Sequence, residues 1–379
     1  MNFSWTEEQD RLYATTLQAT QEKLNDPEGA SHTYWSLEQW HLCAELGLLG
    51  LCVPESYGGS GYGALTTARV VEAFGRGCQD MGLLFSAAAH LFACSMPIAE
   101  YGSEAIKQAL LPKMCSGEII AANAITEDGA GSDVFALKTR AVRDGDDYIL
   151  TGTKSYVSNG PVADLYVIYA LTKPEHGYLG ITGFVVERDT PGLSAGEPFS
   201  KLGMSSTPAC AIVLHECRVP AANRLGREGQ GSFVFTASMQ WERACLFAGY
   251  LGQMEQQLEL ASVFARERRQ FGKALSKNQA IAHRLVDMKL QLEAARLLLY
   301  RACWLLEQGE DATLAISLSK LAVSEAAIQV GLDTLHILGS AGFKQDASVS
   351  KMLMNAIPGT IFSGTSEMQR NIIARELAL

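Results

Sequence analysis

The feature that most constrains this chain is a double change of periodicity along its length. Up to residue 118, apolar residues recur at helical spacing. Trp35 to Leu49 is amphipathic and stops at Gly50, and Leu65 to Phe74 and Leu83 to Tyr101 follow, between breaks such as Gly58-Gly59-Ser60-Gly61. From 119 to 222 the texture turns to short β-prone runs: Tyr148-Ile149-Leu150, Leu165-Tyr166-Val167-Ile168-Tyr169, Gly183-Phe184-Val185-Val186 and Ala211-Ile212-Val213-Leu214. Turn formers such as Asp144-Gly145-Asp146, Ser158-Asn159-Gly160-Pro161 and Thr190-Pro191-Gly192 divide them. Strands at this spacing predict a small antiparallel barrel or sandwich. Beyond 230 the helical pattern returns, with Leu285, Met288, Leu292, Ala295 and Leu299 stepping by three and four as a bundle seam, and Ile316 to Leu338 in the same style. The expected fold is α+β and multidomain: helices in 1–118, a β module in 119–224 and a long-helix bundle in 225–379.

A length of 379 residues fits two or three domains, and 47% apolar against 19% charged residues permits a large core. Thirty-one Lys and Arg against 41 Asp and Glu give a net charge of −10, which argues against a nucleic-acid partner. The first residues, Met1-Asn2-Phe3-Ser4-Trp5-Thr6-Glu7-Glu8, have neither the basic start nor the apolar run of an export signal. No run reads as approaching the ~20 apolar residues of a membrane span. Nine cysteines, an odd number without C-x-x-C pairs, fit small apolar residues of a reduced cytoplasmic chain. The seven histidines lack ligand spacing, so no metal site is expected.

Four stretches carry chemistry. Ala124-Ile125-Thr126-Glu127-Asp128-Gly129-Ala130-Gly131-Ser132-Asp133 lets backbone N–H groups approach a flat or anionic ligand, and reads equally as a plain glycine-rich loop. It is neither a P-loop nor G-x-G-x-x-G. In Gly152-Thr153-Lys154-Ser155-Tyr156-Val157-Ser158-Asn159-Gly160, Tyr156 can stack on a ring while Ser158 donates a hydrogen bond, although a strand aromatic usually serves the core. The densest basic run, Arg266-Glu267-Arg268-Arg269-Gln270-Phe271-Gly272-Lys273, fits a solvated helix face or a phosphate clamp. Glu242, in Trp241-Glu242-Arg243-Ala244-Cys245, stands in an otherwise apolar helix. A buried carboxylate there needs Arg243 as partner or a functional role, such as a general base of raised pKa; a surface position is the alternative.

In this order these stretches resemble the acyl-CoA dehydrogenase family of flavoproteins over essentially the whole chain. The resemblance rests on Thr126-Glu127-x-x-Ala130-Gly131-Ser132-Asp133, Gly152-x-Lys154-x-Tyr156-Val157-Ser158-Asn159-Gly160, Lys201-Leu202-Gly203-Met204 and Arg218-Val219-Pro220. It continues through Arg268-x-Gln270-Phe271-Gly272 with Gln279, and Gly364-Thr365-Ser366-Glu367-x-Gln369-Arg370. It implies an N-terminal helical domain, a middle antiparallel β-barrel and a C-terminal four-helix bundle, with FAD between barrel and bundle in a homotetramer. Thr126 and Ser158 would bond the isoalloxazine, with Tyr156 against it in place of the family's usual Trp and Val157 beside it. Arg268, Gln270, Phe271 and Gln279 would hold the FAD of a neighbouring subunit, and Gly339, Thr365 and Glu367 would be further cofactor contacts. Ser132, Arg243, Ser363 and Gly364 would meet the substrate, Ser132 near its pantetheine arm.

Ser363 stands where most members carry the catalytic glutamate, before Gly364-Thr365. Isovaleryl- and long-chain-type members carry the base on a bundle helix before an arginine, and that position here is Glu242, followed by Arg243. Other departures are Ser205, where arginine is common, and His336, where glutamine is common. Ser86 to Cys94, Asn159 to Asp164, Tyr300 to Trp304 and Ile357 to Thr365 are similar to a narrower branch, the prolyl-carrier-protein dehydrogenases of pyrrole and prodiginine pathways. That branch oxidises L-proline held as a thioester on a peptidyl carrier protein, towards pyrroline and pyrrole-2-carboxyl thioesters. The other expectations open at this point are an ordinary short- or branched-chain acyl-CoA dehydrogenase and a non-catalytic scaffold of the flavoprotein fold. An electron-transfer flavoprotein or oxygen would reoxidise the flavin.

Overall fold

The computed structural model describes residues 4–25, 35–344 and 347–379. Six helices come first: α1 (Glu7–Lys23), α2 (Leu37–Glu45), α3 (Ala64–Gly77), α4 (Met81–His90), α5 (Met96–Tyr101) and α6 (Glu104–Cys115). Their starts follow from local capping. Thr6 and Gln9 form a reciprocal capping box on α1, and the Asp80 carboxylate accepts from the Gly82 and Leu83 N–H groups to open α4. The expected helix from Leu83 to Tyr101 runs without a gap from Met81, but residues Leu91–Ser95 within it form a π turn that joins α4 to α5.

Eight strands follow: β1 (Ala121–Ala124), β2 (Arg140–Asp144), β3 (Asp147–Ser158), β4 (Leu165–Leu171), β5 (Ile181–Glu187), β6 (Leu193–Ala195), β7 (Ala209–Pro220) and β8 (Arg224–Leu225). They form one sheet in the order β6-β7-β3-β2-β4-β5-β8, with β1 attached to β4. Most pairings are antiparallel; β1 joins β4 in parallel, and β2 meets β4 in parallel at the single pair Arg140–Leu171. The sheet encloses its own apolar cluster, from Tyr148, Leu150, Tyr166, Ile168, Phe184 and Ile212. On β4 the alternate residues Leu165, Val167 and Tyr169 belong instead to the large core shared with the helices. Both faces of this strand are therefore buried, which explains its unbroken apolar run.

The chain closes with α7 (Gly231–Trp241), a second π turn at Glu242–Leu246, α8 (Ala248–Glu267), the hairpin β9 (Arg269–Gln270) and β10 (Lys273–Ala274), α9 (Gln279–Glu307), α10 (Thr313–Leu338), α11 (Ser348–Ala356) and α12 (Ser366–Glu376). The expected seam on α9 is present: Met288, Leu292, Ala295 and Leu299 are buried and Leu285 packs against them. Helix α10 packs on α8, α9, α11 and α12. The first helical group is tied to this bundle where α3 crosses α8. There a Cβ on Gly75 would stand 2.1 Å from the Gly249 carbonyl oxygen, so only glycine allows the approach.

One expectation fails. Met81–Tyr101 and Thr313–Ala341 are each long and apolar enough to cross a membrane. The apolar window of the first is almost wholly buried inside the protein and that of the second half-buried, so these residues serve packing of the fold. All nine cysteines are free and buried, as small apolar residues are.

Candidate active site

A cavity of about 550 Å³ opens where the sheet, the α4–α5 segment and the bundle meet. Glu242 lines it at the point where α7 ends and the π turn begins. The residue is 7% exposed, and its Oε1 accepts a hydrogen bond from the Ser363 hydroxyl. Burial pushes the Glu242 carboxyl above the ordinary carboxylate range, while the Ser363 hydrogen bond and the charges of Arg243 and Lys320 draw it partly back.

Of the two explanations open for a buried Glu242, pairing with its neighbour Arg243 is not the one found, since no hydrogen bond joins them among the described residues. The Arg243 Nε donates to the Ser363 carbonyl at 2.7 Å. The partner of the buried carboxylate is thus Ser363, because consecutive residues of a helix point about 100° apart. Gln369 Nε2 donates to the Gly364 carbonyl at 3.1 Å and to that of Ser363 at 3.4 Å. Phe362 packs between Phe85 and Phe247, at centroid distances of 4.6 and 5.3 Å. Together these contacts hold Ser363 at φ 55°, in the left-handed region that non-glycine residues seldom enter.

On the sheet side, Thr126, Ser132, Tyr156 and Ser158 line the same cavity. Tyr156 sits at a bulge of β3 against β7, with φ 58°; the residue is 65% exposed and its ring is touched edge-on by Phe199. The Ser155 N–H donates to the Thr126 carbonyl at 2.8 Å, which ties the glycine-rich loop to this strand end. Beneath it, the Glu127 carboxylate accepts from Lys154 Nζ at 2.8 Å, from the Thr139 N–H at 2.9 Å and from the Lys138 N–H at 2.6 Å. These bonds hold Glu127 below the usual carboxylate range, and burial pushes the Lys154 ammonium down to about 8.

Not every expected residue reaches the cavity. The Val157 side chain points into the sheet's own core, since strand residues alternate, so only its backbone can face a ligand there. Thr365 N-caps α12 through the Met368 N–H, and Glu367 faces solvent beside Arg370. Gly339 lines a separate, shallow pocket with His336 and Phe343. Arg268, Gln270 and Gln279 are exposed, and Phe271, at the tip of the β9–β10 hairpin, is 94% exposed. The basic run is thus a helix end and a hairpin, not a continuous helix face.

Sequence reasoning missed one residue of the cavity wall and one buried charge that acts on Glu242. Asn123, on β1, lines the cavity with a buried and unpartnered amide oxygen among the described residues. Lys320, on α10, is buried with no hydrogen-bond partner for its ammonium among the described residues, 5.3 Å from the Phe247 ring centroid. Burial and the neighbouring Arg243 push it down to about 8. Its one sequence signal is a lysine at an inward position of an apolar helix.

The exposed face of Tyr156 at a strained bulge, the hydroxyls of Thr126 and Ser158 and the orphaned oxygen of Asn123 suit a flat ring and a polar substrate in one cleft. Comparison with known proteins agrees. The acyl-CoA dehydrogenase N-terminal, middle and C-terminal domain models match residues 6–118, 122–217 and 229–378. An L-prolyl-[peptidyl-carrier protein] dehydrogenase of Pseudomonas fluorescens is 51% identical over all of both chains. Another of that name from a Serratia species is 41% identical over 100% of this chain and 99% of its own. The solved structure described as PigA with FAD and proline is 41% identical over all of both chains, with a TM-score of 0.98. The chain belongs to the acyl-CoA dehydrogenase family.

Proposed function

We propose that this protein is an FAD-dependent dehydrogenase that oxidises an L-prolyl thioester on a peptidyl carrier protein towards a pyrroline or pyrrole-2-carboxyl thioester. The observation that carries the reading is Glu242, a buried carboxylate that lines the cavity at the opening of a π turn and is held by Ser363. Relatives carrying the prolyl-carrier name, one of them 51% identical over its full length, support the substrate. FAD supplies the hydride acceptor. Thr126, Tyr156 and Ser158 hold its ring system, with Val157 contributing backbone alone. Glu242 removes the proton from the prolyl α-carbon, which the thioester carbonyl acidifies. The Ser363 N–H supports the charge that develops on that carbonyl oxygen, and Arg243 and Gln369 keep this turn in place. Ser132 and Gly364 flank the pantetheine arm.

The segments 1–118, 119–224 and 225–379 serve this one site as three domains. Arg268, Gln270, Phe271 and Gln279 act on the FAD of a neighbouring subunit in a homotetramer, where an exposed phenylalanine finds a covering surface. Gly339, in its own pocket, and Thr365 and Glu367, at the start of α12, meet the cofactor only outside the cavity. The protein works in the cytoplasm and passes its electrons to an electron-transfer flavoprotein or to oxygen.

Incubation with prolyl-loaded carrier protein and, separately, with isovaleryl-CoA tests the reading. Flavin bleaching and a mass loss of the prolyl group on the carrier are expected. Bleaching by isovaleryl-CoA alone would make this an ordinary acyl-CoA dehydrogenase, and a purified protein without flavin absorbance would make it a scaffold.

Protonation of Glu242 also makes a pH prediction. The base works as carboxylate, and its pKa is raised, so the rate of flavin reduction falls on acidification through a pH above the usual carboxylate range. Ser363→Ala removes a hydrogen bond that favours the charged form. The acid limb of the Ser363→Ala profile therefore lies at higher pH than in the wild type, and stopped-flow reduction across pH reads it directly. An unmoved limb would separate Ser363 from the base.

A further inference from the structure

The wall of the cavity opposite the bundle is apolar around one fixed acceptor. Phe85, Ala89, Ala93 and Ile125 line it with Asn123. The Asn123 amide Nδ2 donates to the Ala93 carbonyl at 3.2 Å. A carbonyl can only accept, so this bond settles which end of the amide is which and leaves Oδ1 as its acceptor end. That oxygen is buried and unpartnered among the described residues. Ala93 lies in the first π turn, where wider spacing of backbone bonds leaves carbonyls open to outside donors.

The mount is stiff. The Ala121 N–H donates to His90 Nδ1 at 3.0 Å, and His90 Nε2 pairs with the Met114 carbonyl at 3.2 Å. Burial pulls the imidazole down to about 4, so it is neutral near pH 7 and donates from Nε2. Asn159 Nδ2 bonds the Ser86 carbonyl at 3.0 Å and that of Ala121 at 3.4 Å. Strand β1 is thereby locked to α4 on one side and to β4 on the other.

A buried amide oxygen without a partner costs stability, and a ligand donor that meets it would offset that cost. The unbranched or branched chain of an ordinary acyl thioester carries no donor; a prolyl group carries the ring N–H on the very carbon that loses its proton. We propose that Asn123 is the amine subsite of this enzyme, its Oδ1 accepting the ring N–H of a cyclic amino-acyl thioester while Glu242 faces the α-carbon hydrogen. The inference rests on the prolyl reading above and adds the residue that tells a prolyl ring from an all-carbon one. A site built to accept a substrate N–H discriminates strongly against an analogue that lacks it, because the acceptor is then left buried and bare.

The test compares flavin bleaching by carrier protein loaded with prolyl and with cyclopentanecarbonyl groups, the same five-membered ring without nitrogen. The wild type is expected to prefer prolyl by on the order of 10²-fold or more in kcat/KM. In Asn123→Leu and in the smaller Asn123→Ala, the prolyl value drops at least about tenfold while the carbocyclic value holds or rises, so the preference collapses. Unchanged flavin absorbance and melting temperature in either variant confirm that the fold is intact. A preference that survives both substitutions, in a wild type that does oxidise prolyl carrier, overturns the assignment of Asn123 alone. A wild type inert towards prolyl carrier overturns the functional reading beneath it.

Discussion

Glu242→Gln yields a folded, yellow protein that prolyl carrier does not bleach. Loss of a general base costs about 10²- to 10⁴-fold in the chemical step, and the other carboxylate of the cavity wall, Asp133, is exposed to solvent. Ser363 carries a hydroxyl with no base of its own, and the Lys320 ammonium is a cation near neutral pH. The glutamine keeps the size of the side chain and an oxygen to accept from Ser363, so the turn at 363–364 and the flavin wall stay in place. It also removes a carboxylate whose burial is unfavourable, as the raised pKa records. The melting temperature should hold or rise while activity disappears, the trade expected where a site stores an unfavourable charge. Flavin content, melting temperature and single-turnover reduction check the three parts separately, and substantial single-turnover activity would remove Glu242 from the reaction.

Glu127→Ala acts on stability by a comparably large amount. Glu127 and Lys154 form a buried pair that joins the glycine-rich loop to the strand carrying Tyr156. Truncation leaves the Lys154 ammonium, fully inaccessible to water, with the Ile125 carbonyl at 3.2 Å, and strips two backbone N–H groups of their acceptor. Breaking a buried pair from one side costs about 3–5 kcal/mol, a large share of a typical total of about 5–15 kcal/mol. Denaturant midpoints and flavin content should both fall. Adding Lys154→Met should restore part of the loss, because an apolar replacement of a whole buried pair is nearly neutral. A double variant no more stable than Glu127→Ala would show that the ion pair is not the cause. The pH dependence has a definite sign: the Glu127 pKa is depressed, so its contribution is present above the unfolded carboxylate value and is lost as pH falls through the folded one.

Much of this architecture was legible because it depends on patterns longer than one element. The α9 seam and the apolar run of β4 announce themselves by period and by length. Glu242 was visible as a charge in apolar company, and motif order named its role. What escaped depends on contacts between distant residues. Ala121-Ala122-Asn123-Ala124 has little strand propensity, and becomes β1 only through its register with β4 and its bond to His90. The π turns leave no mark in composition, since no residue type signals such a turn in the way that glycine or proline signals a break. Lys320 was hidden because a lone lysine on a helix normally reaches water. The link between Arg243 and Ser363 spans 120 positions, and reasoning from neighbours could only offer the arginine as one possible partner of Glu242.

The two π turns have an evolutionary meaning. In an α-helix each residue turns the chain by about 100°, so one inserted residue swings every later side chain by roughly a quarter turn. Glu242 opens such a turn, and Ala93, the anchor of Asn123, sits in the other. The relevant genetic event at these places is therefore a single-codon insertion or deletion more than a point substitution. Removing Ala244, Cys245 or Leu246 would leave Glu242 and Arg243 present in the sequence and re-aim the helix that follows. Relatives that share all the same letters can thus differ in function by one codon of phase.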